Sequence, residues 1–437
     1  MVAVAFARPD AIAGSVRLDS VARLEVYLSC VTLAPILLVL ATLLAGQGSS
    51  DSQAQGAPRP SPRPARPAVG GRSFDAVSKQ ANAAREAGRL EEAIALYRDA
   101  LRLKPEWREG RWYLGTSYYE LDRYAEAAAA FKRLIASEPS HGAAWGFRGL
   151  CEFQLRQYEP ALVSLMKARD LGLGPNQELT SVVRYHTAIL MTRFSQFEFA
   201  QKVLSEFTAD GNDNPKILEA LGLATLRVPQ LPEEVDPTRR EQLLMAGGGT
   251  FYYYSRMTAA AHGQFEELIR RYPDVPNVHY AFGVVLLNEQ PDRAIEEFKK
   301  ELQRSPAHVP SMMQMAFEYL KRSDWAAARS WAEQAVKADT TSVPARQALG
   351  QSLLELGEVT EAIEQLRAGI ALSPDSSILH FTLARAYRKA GRTAEAERER
   401  LEFQRLDRAR PGAKDYAAPG AAKPVDAQGP SPTPKRR

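Results

Sequence analysis

Residues 108–141, REGRWYLGTSYYELDRYAEAAAAFKRLIASEPSH, decide the fold. Apolar residues recur at intervals of three and four in two successive runs. Each run therefore reads as a helix of about twelve residues with one buried stripe, the two joined by a tight turn. Small residues, Gly115 in the first run and Ala127 in the second, stand where two helices must approach closely. Pro139 marks where the second helix has to stop.

Moving outward, the same unit returns. Ala93, Ala127 and Ala161 are 34 residues apart, and so are Ala294, Ala328, Ala362 and Ala396. Each alanine sits in a recurring phrase, among them GRLEEAIALY, DRYAEAAAAF and GEVTEAIEQL, and each phrase follows another helical run. Gly149 and Gly350 repeat the role of Gly115. Gly88, Gly357 and Gly391 fall at the turn between helices, where a left-handed backbone is cheap for glycine. Pro105, Pro306 and Pro374 repeat the role of Pro139. A period of this length is the mark of an array of helical pairs, each burying its face on its neighbours.

The pattern resembles that of the tetratricopeptide repeat (TPR) family. Trp112, Leu114, Gly115, Tyr118, Ala127, Phe131 and Pro139 carry the match in one unit. Leu349, Gly350, Leu353, Gly357, Ala362 and Pro374 carry it in another. The resemblance covers roughly 74–409 and implies an all-α fold, a right-handed α-solenoid of helix-turn-helix units. The units read as an N-terminal block, 73–214, and a C-terminal block, 275–409. Between them 215–274 departs from the period. ILEALGLATL starts like a first helix and VPQLPEEVDP interrupts it. A short helix is expected from Thr238 to Met245, then a flexible break at Gly247–Gly249, then a shortened pair. The stretch is either two degenerate repeats or a hinge.

The flanks differ in kind. Within residues 1–46, Val26 to Ala45 holds no charged residue, a length that as a helix spans a bilayer core of roughly 30 Å. It reads either as a membrane anchor or as a signal sequence with its core at Ile36–Leu44. Both place the array outside the cytoplasm: membrane-anchored and facing out, or periplasmic or secreted once cleaved. Residues 47–72, rich in Pro and Arg, read as an extended disordered linker. Residues 410–437 lack the apolar content for a core and read as a disordered tail.

Composition narrows the function. Lys and Arg number 56 against 52 Asp and Glu, a formal net charge of +4, which argues against a nucleic-acid partner. Of two cysteines only Cys151 lies in the body, where it reads as a small buried residue. The six histidines are scattered without metal-ligand spacing, and Gly247–Gly249 follows no strand and lacks the phosphate-loop form. No metal or cofactor is expected, and no catalytic constellation emerges. Glu233-Glu234-Val235-Asp236 spells a tail motif that some TPR proteins recognise on chaperones. Being internal, it lacks the terminal carboxylate such recognition needs.

By resemblance, the functional surface is the groove lined by first helices, at the second, fifth, ninth, twelfth and thirteenth residue of each unit. Those positions include Asn82, Arg85, Trp112, Thr116, Tyr119, Phe153, Tyr185 and Tyr280. Further along they include Met313, Phe317, Gln347, Gln351, Phe381, Arg385 and Arg388. Aromatic, Met and Arg side chains are the types enriched at interface cores. The expectation is a non-enzymatic scaffold at the cell envelope, holding a protein or peptide partner in the groove. The alternatives are a carbohydrate- or envelope-polymer-binding protein and an accessory subunit of an enzyme complex.

Overall fold

The computed structural model describes residues 73–409 except Asp210. The apolar run 26–45, the linker 47–72 and the tail from 410 lie outside the described residues. Among the described residues there are nineteen α-helices and no strand, and no helix is long and apolar enough to cross a membrane. Contacts divide the chain into two compact units, one through Leu190 and one from Met191.

The first unit contains three helical pairs: α1 (Phe74–Glu86) with α2 (Leu90–Leu103), α3 (Arg108–Glu120) with α4 (Tyr124–Ser137), and α5 (Gly142–Gln154) with α6 (Tyr158–Leu171). The division falls inside α7 (Gln177–Arg193), ahead of the stretch where the sequence loses its period. The second unit continues with α8 (Phe197–Ser205), α9 (Pro215–Thr225), α10 (Arg240–Tyr254), α11 (Thr258–Arg271), α12 (Val278–Leu286) and α13 (Pro291–Arg304). It ends with α14 (Val309–Lys321), α15 (Trp325–Ala338), α16 (Val343–Leu356), α17 (Val359–Leu372), α18 (Ser377–Lys389) and α19 (Thr393–Ala409).

The small residues do what their spacing requires. Ala93, Ala127, Ala161, Ala294, Ala328 and Ala362 are fully buried. A Cβ on Gly115 would stand 2.7 Å from the Phe131 ring, and one on Gly350 would stand 2.6 Å from Leu366. These pairs therefore close only around glycine. Second helices end at Leu103, Ser137, Arg304 and Leu372, each two residues before the proline that stops it. The turn inside each pair uses a left-handed residue: Gly88 (φ 74°), Gly357 (φ 89°) and Gly391 (φ 72°), as expected, but also Asp122, Arg156, Arg256 and Ser323. Side chains are tolerated there because pairing on both sides over-determines the turn.

Between 215 and 274 the structure corrects the expectation. Gly247–Gly249 is no break; it lies inside the continuous helix α10. Two of the three glycines are contact points. A Cβ on Gly247 would run into the Leu218 carbonyl of α9, and one on Gly249 would stand 2.7 Å from the Phe265 ring of α11. The pair α10–α11 is full-length, with Gly249, Ala261 and Phe265 in the places that Gly115, Ala127 and Phe131 hold in the α3–α4 pair. The irregularity is instead that α9 packs directly on α10. The loop between them carries two short 3-10 turns, Pro232–Glu234 and Pro237–Arg239, where a second helix would stand. Leu231 is fully buried under it, and Val235 packs against the core.

Candidate interaction surface

Successive first helices touch one another directly, α3 on α5 in the first unit and α12 on α14, α14 on α16 and α16 on α18 in the second. The positions named from sequence therefore share a face within each unit, but they do not share accessibility. Trp112, Tyr119, Phe153 and Tyr280 are buried, and so is Thr116, whose hydroxyl donates to the Tyr113 carbonyl at 3.2 Å. The rings among them pack against neighbouring residues of the fold. Trp112 lies edge-on to Phe147 at 5.5 Å and stacks on His141 at 5.0 Å. Tyr119 meets Phe147 at 5.0 Å, Phe153 meets His186 at 4.7 Å, and Tyr280 meets His308 at 5.1 Å. A large ring at these positions reaches the next first helix and fills the seam instead of facing solvent. Met313 is buried as well, while Tyr185 and Gln347 are half-buried.

At the start of the first unit, Asn82 and Arg85 are half-buried. Tyr97 donates its hydroxyl to Asn82 Oδ1 at 2.8 Å, and the Arg85 guanidinium lies 4.1 Å above the Tyr113 ring. Burial pushes the Tyr97 hydroxyl up from its ordinary value, so it stays a donor. In the second unit, Phe317 and Gln351 are half-buried along α14 and α16, with Phe317 packed on the core.

Phe381, Arg385 and Arg388 are the expected residues that the fold gathers around one cleft. Phe381 is 42% exposed, its ring 5.3 Å from that of Phe403 on α19. The two rings, with Ala384 and Ala396, floor a cleft of about 250 Å³ between α18 and α19. Its rim carries Arg385, Arg388, Arg400 and Glu397. Arg385 is held by Glu355 at 2.6 Å and Arg400 by Glu397 at 2.5 Å. The Arg400 guanidinium in turn holds the Glu397 carboxyl below the usual carboxylate range.

Phe403, Arg400 and Glu397 were missed from sequence, although the 34-residue subtraction reaches them. The position held by Tyr97, Phe131, Leu165, Phe298 and Leu366 in other pairs, fully buried each time, is Arg400 in α19, and it is exposed. Ala396 is half-buried where its counterparts are fully buried. Among the described residues, no further first helix follows α19 to cover this pair.

The remaining chemistry-bearing residues are built into the packing. Cys151 is fully buried, its thiol pushed up to about 12 by burial. His141 Nδ1 caps α5 by accepting from the Ala144 amide at 3.2 Å. His308 Nδ1 caps α14 by accepting from the Ser311 amide at 3.3 Å. His380 bridges Glu399 and the Pro374 carbonyl. In the internal EEVD stretch, Glu234 accepts from the Leu231 amide at 3.0 Å and pairs with Arg193, while Asp236 accepts from the Thr238 amide at 2.8 Å. That stretch organises the loop ahead of α10.

The comparisons with known proteins follow the repeat. A family profile described as tetratricopeptide repeat matches residues 69–107, 78–135, 114–170, 249–309 and 347–414, together more than half of the chain. Human protein O-mannosyl-transferase TMTC3 is 21% identical over 250 residues, which is 54% of this chain and 27% of that protein. Among solved structures, MamA (AMB-1) is 20% identical with a TM-score of 0.34, covering 38% of this chain and 99% of its own. A MamA RS-1 double mutant is 19% identical with a TM-score of 0.37, covering 39% and 97%.

Proposed function

Because the chain belongs to the tetratricopeptide repeat family, we propose that it is a non-enzymatic scaffold that binds a protein or peptide partner along its first-helix faces. The observation that carries this reading is the second unit's stripe. Phe317, Gln351, Phe381 and Arg385 stand on successive, touching first helices and stay part-exposed, and the stripe ends in a cleft floored by two aromatic rings. Exposed aromatic and arginine side chains over a shaped surface are the usual anchors of protein recognition. The Asn82–Arg85 end of the first unit is a second, more polar part of the same reading.

The cell-envelope setting is part of the proposal and rests on the uncharged run 26–45, as an anchor or as a cleaved signal. A second reading, an accessory to an enzyme on another chain, is favoured by the relative named as a mannosyl-transferase. Crosslinking in cells followed by mass spectrometry tests both. The scaffold reading expects specific protein adducts that vanish when Ala127→Arg disrupts the array. An active enzyme among them supports the accessory reading. A chain that gathers no protein adducts above a random control overturns both.

A further inference from the structure

We propose that the cleft between α18 and α19 receives an acidic amphipathic helix of a separate protein; this rests on the scaffold reading and names its partner's chemistry. In the regular pairs, such as α1–α2, α3–α4, α14–α15 and α16–α17, the trough made by first and second helix is filled by the first helix of the next pair. Gly369 of α17, for instance, lies so close to Leu379 of α18 that an added Cβ would stand 3.1 Å away. The trough of α18 and α19 is built the same way except for Arg400, and no helix among the described residues fills it. It is helix-shaped because its upstream copies hold helices, and its floor of Phe381, Phe403 and Ala396 is apolar.

Charge selects the occupant. Of the three rim arginines, Arg385 is paired with Glu355 and Arg400 with Glu397, while Arg388 is exposed with no ion pair among the described residues. The chain's own residues 410–437 bring six basic and two acidic side chains, the same sign as the rim. The run 26–45 brings no charge at all. A second copy of α18 and α19 would set the same arginines against each other. A helix with apolar residues at i, i+4 and i+7 and carboxylates flanking them satisfies both floor and rim. Its apolar side chains would lie on the two rings, with a carboxylate reaching Arg388.

The test uses the full chain and two labelled synthetic helical peptides. They share leucines at those three positions and carry either glutamates or lysines elsewhere. Fluorescence anisotropy should show the acidic peptide binding at least tenfold more tightly than the basic one. Arg388→Glu should cut that binding at least tenfold, and Phe381→Ala should weaken it at every salt concentration. Circular dichroism of both variants guards against unfolding. Equal binding of the two peptides, or Arg388→Glu binding the acidic peptide like wild type, overturns the inference. So does a peptide-free dimer in light scattering that Phe381→Asp abolishes. If cellular protein adducts persist in Arg388→Glu while peptide binding was never seen, the inference falls and the scaffold reading stands. Loss of adducts in wild type removes the scaffold reading itself.

Discussion

Replacing each glycine of Gly247–Gly249 by alanine separates a packed helix from a flexible link, because the structure gives adjacent residues opposite signs. All three lie within α10. At Gly248 an added Cβ would meet only the Gln264 side chain, at 3.8 Å, an ordinary contact. Nothing then offsets the helix propensity that alanine adds, so Gly248→Ala should stabilise by about 1 kcal/mol. At Gly247 the Cβ would run into the Leu218 backbone carbonyl, which cannot rotate away, and the α9–α10 crossing must open. At Gly249 it would press on Phe265, a fully buried ring. Overpacking of this kind costs about 1–3 kcal/mol, so both variants should lose stability despite the gain in propensity. Denaturation midpoints followed by circular dichroism, with hydrogen exchange of the 240–254 amides, read the signs directly. If all three variants stabilise alike, or none changes exchange in α10, the helical assignment of this segment is refuted.

Three further outcomes follow from local environments. His186 is buried, its Nδ1 2.8 Å from the Val182 carbonyl, and burial pulls it down to about 4, so its folded pKa lies below the ordinary value. Stability from keeping it neutral is present above about pH 6.5 and is lost as pH falls toward 4, by ~3 kcal/mol in total. The unfolding midpoint of His186→Leu should therefore slope less with pH over that window, and parallel slopes would contradict it. Arg156 (φ 57°) and Ser323 (φ 59°) hold left-handed turns, so Arg156→Gly and Ser323→Gly should each raise the unfolding midpoint by about 0.5–1 kcal/mol in stability. Ala127→Arg places an unpaired charge at a fully buried helix contact and should cost about 3–5 kcal/mol; an unchanged melting temperature would show the repeat register to be wrong.

The regular pairs were legible because one period fixes three things at once: where glycine or alanine must stand, where the turn comes, and where proline stops the helix. Non-glycine turns such as Asp122 and Arg156 carried no local signal, since the strain is paid by packing and not by residue type. Gly247–Gly249 misled for the opposite reason. Three glycines in a row look like a break, and only the positions of Leu218 and Phe265 show that two of them permit close approach. The surface positions were the least legible. Trp112 and Phe381 occupy the same place in their units, yet one is buried and the other exposed, because a following first helix covers the former and none among the described residues covers the latter. Arg400 was readable in principle, as a charge at a position that is apolar in the other pairs.

The most direct measurement is site-specific photo-crosslinking in cells, with the reactive side chain placed at Phe381 on the stripe or at Glu364, an exposed position on the second helix α17. The scaffold account predicts a discrete protein adduct from Phe381 and none from Glu364. Adducts of equal intensity from both positions, or from neither, would contradict it.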